Sequence, residues 1–254
     1  MNPIVALLLL SLFGPPRHWL TIRFHNEVGA QPLRLGNQTY TNRFHEPLLI
    51  GQCKYYISNL RLRGDHGEEL LLRDPHLVDQ ADSASLELHL QTTLSNPRSI
   101  QFAVGVDSSY NTGGVQTGDL DPMLGMFWTW NTGYINARLE GISDSAYAPA
   151  HRFTWDIGGY KPGQNTLRTI TLPLPATSAT ANTSATASIA ADANPQTTTA
   201  ATPNTATIDI HTNLLAWFDG AHPIRLTASP ICHEPGSLAM QLADNYAGSF
   251  SIHP

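Results

Sequence analysis

The segment from Leu48 to Leu62 (LLIGQCKYYISNLRL) constrains this chain more than any other. It is a long extended run, rich in Ile, Tyr and Leu, that closes on Gly64-Asp65. Branched and aromatic side chains of this kind suit a pleated, buried backbone. Shorter runs repeat the signal on either side. Leu20 to Phe24 alternates, Leu33 to Leu35 continues it, and Thr39 to Thr41 follows a Gly-Asn turn. Glu69 to Arg73, Ser85 to Leu90, Ile100 to Val106, Phe127 to Leu139, His151 to Ile157 and Asn165 to Leu174 follow. Ser85 to Leu90 alternates strictly, which predicts a half-exposed strand. Helical spacing shows only at Gly236 to Tyr246, with Ser237 as the expected N-cap. The expectation is an all-β chain: a β-sandwich of mainly antiparallel strands with a short C-terminal helix.

One stretch stands apart. Ala176 to Thr207 is built almost wholly from Ala, Thr, Ser, Asn and Pro, and Ile189 is its one branched aliphatic residue. Such a segment cannot bury enough apolar surface to offset its ordering entropy. It reads as a disordered insertion (176–207) within one domain (19–254), since too little chain follows it for a second core. At the other end, Ile4 to Phe13 has the length of a signal-peptide h-region and is too short to span a bilayer. Met1-Asn2-Pro3 lacks a basic side chain, and Gly14-Pro15-Pro16 lacks the usual cleavage pattern. The reading is nonetheless a signal peptide over 1–18 and an exported protein.

Composition narrows the function classes. The net charge is −6 and the Lys and Arg residues are scattered singly, so no basic stripe exists for nucleic acid. Charged residues are only 13% of the chain, which fits export. No G-x-S-x-G, H-E-x-x-H, P-loop or G-x-G-x-x-G is present, so hydrolase, zincin and nucleotide readings have no starting point. Asp107 to Gly113 looks like a calcium loop, but Thr112 stands where the loop glycine belongs, so a turn network is expected instead. The two cysteines, Cys53 and Cys232, either pair or sit apart as buried thiols.

Trp128 and Trp130 lie two residues apart in Gly125-Met-Phe-Trp-Thr-Trp-Asn-Thr-Gly-Tyr134. At strand spacing they share one face, so the pair is either a packing centre or a site. The neighbouring motifs point to a family. They are Pro32-Leu33-x-Leu35-Gly36, Tyr55-Tyr56-Ile57-Ser58-Asn59-Leu60, Gly105-Val106-Asp107-Ser108, Gly118-Asp119-Leu120-Asp121-Pro122, Leu139-Glu140-Gly141, Ile157-Gly158-Gly159 and Ala243-Asp244-Asn245-Tyr246. Together with the W-x-W segment they resemble the MbnP-like family of periplasmic copper-binding proteins. Members of that family are associated with methanobactin operons and other copper-handling loci.

The resemblance implies a non-enzymatic protein of copper homeostasis that binds one copper ion. It implies that Trp128 is oxidised to kynurenine by a diheme cytochrome c peroxidase/MauG-like partner, with Trp130 as the unmodified neighbour. Such an oxidation needs Trp128 near the surface. It would turn an indole, which can only donate, into groups compatible with a metal. His25 and His76 stand where similar proteins place histidines and are candidate ligands. Family members usually read Phe-x-Phe-His-Ile-Gly-Gly where this chain has Phe153-Thr154-Trp155-Asp156-Ile157-Gly158-Gly159, so Asp156 replaces an expected histidine. A carboxylate is a harder ligand than imidazole. The departure motivates an alternative, a metal-free docking sandwich that has lost its copper site.

Overall fold

The computed structural model describes residues 17–65, 67–129, 133–175 and 205–253. The apolar run near the N-terminus, Trp130 and residues 176–204 of the expected insertion lie outside them. In chain order the first strands are β1 (His18–Val28), β2 (Gln31–Pro32), β3 (Thr39–Thr41), β4 (Pro47–Gly64) and β5 (Gly67–Leu72). Next come β6 (His76–Asp79), β7 (Glu87–Thr92), β8 (Pro97–Val104), β9 (Phe127–Trp128) and β10 (Gly133–Ile142). The last are β11 (Arg152–Gly158), β12 (Arg168–Pro173), β13 (Thr205–Asn213), β14 (Ile231–Cys232) and β15 (Phe250–Ser251).

β4 is the axis of the larger sheet. Its length lets it pair with β8 and β10 along its two edges and with β3, β5 and β6 at other levels, giving the order β12-β8-β4-β10-β11-β14 with β9 on β10. The smaller sheet runs β15-β13-β1-β2, and β7 also pairs with β1. Most pairings are antiparallel, as expected. Two are parallel, β1 with β13 and β11 with β14.

The sheets meet face to face through aromatic side chains. Phe24 of β1 sits edge-on to Tyr55 of β4 at 6.4 Å, and Phe250 of β15 contacts Tyr55 and Phe102 at 5.7 and 5.3 Å. Such edge-to-face pairs add to the burial itself. The Tyr55 hydroxyl does not go unpaired in this core, because it donates to Asn26 Oδ1 at 2.9 Å.

Alternation sets which side chains face out. In β1, Leu20, Ile22, Phe24, Asn26 and Val28 are buried, while Arg23 is exposed and His25 and Glu27 are half-buried. In β13, Ile208, Ile210 and Thr212 point inward and His211 outward. This is the period-two rule applied to both strands of one parallel pair.

Several expectations need correction. Leu33 to Leu35 is not a strand: Leu33 is buried beneath a turn, its N–H donating to the Asn26 carbonyl at 2.8 Å. Ser85 and Leu86 belong to a 3-10 turn, and β7 begins at Glu87. Ser237 is the first residue of the C-terminal helix (Ser237–Ala247), and Gly236 caps it with no side-chain bond. That helix buries Ala239, Leu242, Ala243 and Tyr246, the spacing of one apolar stripe. Thr205 to Thr207, assigned to the insertion, open β13, where cross-strand pairing overrides a weakly apolar composition. His18, placed in the signal segment, stands opposite Thr92 as the first residue of β1.

The cysteines are two separate buried thiols. Their places in the larger sheet explain it. Cys53 stands opposite Leu139, Leu139 opposite Trp155, and Trp155 opposite Cys232. Three strand spacings separate them by roughly 14 Å, beyond the reach of a disulfide. Among the described residues no helix is long and apolar enough to cross a membrane.

Candidate metal centre

Sequence reasoning placed the site around Trp128, and the structure shows a packing centre there. Trp128, on the two-residue β9, is 5% exposed and packs in an apolar cluster with Tyr56, Leu77, Val106, Leu120, Met126, Tyr134 and Ile135. Gly158 makes that packing possible. A Cβ added there would lie 2.7 Å from the Trp128 ring and 2.7 Å from the Tyr134 carbonyl oxygen. The expectation of an accessible indole is therefore overturned. The ring fills the notch that the glycine leaves. Trp130 falls outside the described residues.

Two of the proposed ligands are committed elsewhere. Asp156 is 7% exposed and holds the Arg138 guanidinium in a fork, Nε to Oδ1 at 2.5 Å and Nη2 to Oδ2 at 2.9 Å. Glu140 lies 3.2 Å from the same guanidinium. Burial, above all, raises the Glu140 carboxyl pKa above its ordinary value, and the Asp156 charge adds to the rise while Arg138 opposes it. A carboxylate gripped by arginine on both oxygens has little left for a metal. His76 lines an open depression of about 500 Å³ with Asp74, Tyr110 and Asp119. Its Nδ1 meets Asp119 Oδ2 at 2.8 Å and its Nε2 meets the Ser85 carbonyl at 2.8 Å. A carbonyl can only accept, so Nε2 carries a hydrogen, and neither ring nitrogen turns a lone pair to the depression. Asp107 and Asn111, weighed as a calcium loop, form the expected turn network. Asp107 Oδ2 accepts from Asn59 at 2.6 Å, and Asn111 bonds the backbone of Val106, Asp107 and Tyr134.

His25 leads to a different place. Parallel pairing sets it opposite His211, and the two rings stack with centroids 4.8 Å apart and planes 21° from parallel. His211 in turn stands opposite Ser251 of β15, so His253, two residues on, follows on the same face. Its ring lies 4.5 Å from that of His211. The result is a row of three imidazoles across the outer face of the smaller sheet. Carboxylates flank it: His25 Nε2 meets Asp209 Oδ1 at 2.8 Å, and His211 Nδ1 meets Glu27 Oε1 at 2.8 Å. Glu27, His211 and His253 bring one donor atom each within 4.8 Å of one another, the one such trio among the described residues.

The trio suits a metal chemically. Ligand atoms about 2.0–2.2 Å from a common ion lie some 3–4 Å apart, so small side-chain rotations close the site. Imidazole and carboxylate together accept copper, zinc and similar divalent ions. His25 joins the row but not the trio: the donor atoms that converge are those of Glu27, His211 and His253, and the His25 ring stacks on His211 from one side. Sequence reading missed His211 and His253. The alternation Ile208-Asp209-Ile210-His211 was legible, but it follows directly on the Ala/Thr-rich stretch, and His253 lies in no periodic run.

Comparison with known proteins bears on this geometry. A family model described as MbnP matches residues 17–234. The chain belongs to the MbnP family. Among solved structures, MbnP from Methylosinus trichosporium superposes with a TM-score of 0.57 at 11% identity, covering 93% of this chain and 98% of that one. At that identity the likeness establishes a shared MbnP fold alone. No curated protein matches by sequence. The MbnP match includes Glu27 and His211 and ends before His253.

Proposed function

We propose that this MbnP-family chain is a periplasmic copper-binding protein of copper homeostasis, holding its ion on the outer face of the smaller sheet. The observation that carries the reading is the convergence of Glu27, His211 and His253, with donor atoms within 4.8 Å. Family membership supplies copper as the expected metal, and the apolar run Ile4 to Phe13 supports export. Binding, not turnover, is the proposed activity. Oxidation of Trp128 by a diheme partner is no part of this reading, because the indole is buried and both Asp156 and His76 are engaged.

The test is metal content. The full chain, exported with copper supplied, should carry close to one copper per molecule by elemental analysis, and the combined Glu27→Gln, His211→Ala, His253→Ala variant should carry none. Equal copper in both would move the site elsewhere.

A second reading has its own observation. The position where family members carry a histidine holds Asp156, locked to Arg138. A chain that gave up the family site in this way could serve as a metal-free docking sandwich. Absence of copper from the purified wild-type chain, with the fold intact, would favour it.

A further inference from the structure

Resting on the copper-binding reading above, we infer that the Glu27–His211–His253 site selects cupric over cuprous ion and holds it in open, exchangeable coordination. Three observations carry this.

The first is ligand softness. The trio offers two imidazoles and a carboxylate and no sulfur. Cuprous ion is favoured by thiolate and thioether, and a hard carboxylate suits it poorly. The chain's thiols cannot contribute, since Cys53 is sealed in the core and Cys232 is buried on the edge strand β14 of the other sheet. The described methionines are elsewhere too: Met126 packs around Trp128, Met123 lies in the loop before it, and Met240 lies on the C-terminal helix.

Spacing is the second. Glu27 Oε1 and His211 Nδ1 are already 2.8 Å apart. That is a hydrogen bond, and it fixes the carboxylate beside the imidazole, so an ion that takes His211 takes a hard oxygen donor with it. His253 adds a second nitrogen within 4.8 Å. A mixed nitrogen and oxygen set suits cupric ion. The stacked His25 ring, itself held by Asp209, limits how far His211 can swing from Glu27.

Exposure is the third. Glu27 and His211 are half-buried and His253 is exposed, so the ion faces solvent and water completes its coordination. His253 lies just beyond the two-residue strand β15, which has only two register partners in β13, so this ligand can leave without breaking a long ladder. Such a site gains and loses its ion readily.

The test uses the full-length apo chain, titrated with cupric ion in air and with cuprous ion under anaerobic conditions, each against a chelator of known affinity. Electron paramagnetic resonance reads the cupric geometry. We expect one cupric ion per chain, a tetragonal spectrum with nitrogen coupling, and roughly ten-fold or greater weakening in each of Glu27→Gln, His211→Ala and His253→Ala. Cuprous ion should bind no more tightly to the wild type than to the triple variant. Cuprous binding tighter than cupric, and lost in the triple variant, would overturn the selectivity while leaving the copper site standing. Cupric binding untouched by the substitutions would overturn the site itself. Circular dichroism and the melting temperature of each variant separate lost ligands from lost fold.

Discussion

Arg138 and Asp156 face each other on adjacent antiparallel strands and join through two short hydrogen bonds, at 2.5 and 2.9 Å. Both side chains are largely buried, and Glu140 stands by as a weaker second partner. Restoring a family-like histidine here has a definite consequence. Asp156→His leaves the Arg138 guanidinium without its main counter-charge. We expect a loss of about 3 kcal/mol, the low end for a broken buried pair because Glu140 remains. Chemical denaturation measures it. No copper should be gained, and copper appearing at this position would show that the pairing is dispensable.

Trp128 and Gly158 make a second tight relationship. A methyl at residue 158 meets the indole ring and the Tyr134 carbonyl at distances that real contacts avoid. Gly158→Ala should destabilise the fold by about 1–3 kcal/mol through overpacking. Gly158→Ala combined with Trp128→Phe should recover part of that loss. No recovery would mean that the backbone contact alone is responsible.

Burial of Trp128 also bears on its chemistry. Protein co-expressed with a diheme MauG-like oxidant should keep an unmodified mass at this residue. Conversion to kynurenine would show as one oxygen gained and one carbon lost in peptide mass spectrometry, and would show that the burial does not protect the ring.

The proposed metal site joins three distant pieces of chain: β1, β13 and the residues after β15. Copper should therefore slow amide exchange at Ser251 to His253, where the tail is held by only two register partners in β13. His253→Ala should abolish the effect while leaving the rest of β13 unchanged. Identical exchange with and without copper would remove His253 from the ligand set.

The thiols supply a pH dependence. Burial raises the Cys232 pKa from 9.0 to about 12 and pushes Cys53 up as well. The folded chain holds these protons more tightly than the unfolded one. Stability from this source is full below the ordinary thiol value and is lost as pH rises from about 9 towards 12. A thiol reagent at pH 8 should find no reactive cysteine in the native protein and two after denaturation. One reactive native thiol would mean that its strand opens locally.

Much of the architecture was legible because it is written in local alternation. β1, β4, β8 and β12 carry runs whose apolar spacing and length leave few alternatives, and the C-terminal helix shows its stripe at 239, 242, 243 and 246. The short strands β6, β14 and β15 were not legible, since two to four residues carry no periodicity and, unlike β3 after its Gly-Asn turn, no turn signal singled them out. Among the site residues, His25 lies beside the Glu27, His211 and His253 trio, while His76 is engaged with Asp119 and Asp156 with Arg138. Residue type at a motif position says nothing about whether a neighbour has already taken its lone pairs.

Local sequence alone determined that this chain forms a β-rich fold with an Ala/Thr-rich interruption, and its motif order determined the family. Tertiary pairing decided where chemistry can occur. Glu27 and His211 are 184 residues apart in the chain and 2.8 Å apart in space. Their meeting depends on β13 choosing β1 as a parallel partner, in the register that buries Ile22 against Ile208 and Phe24 against Ile210. Burial of apolar side chains on the inner face selects that register, and the imidazoles on the outer face are aligned as its consequence.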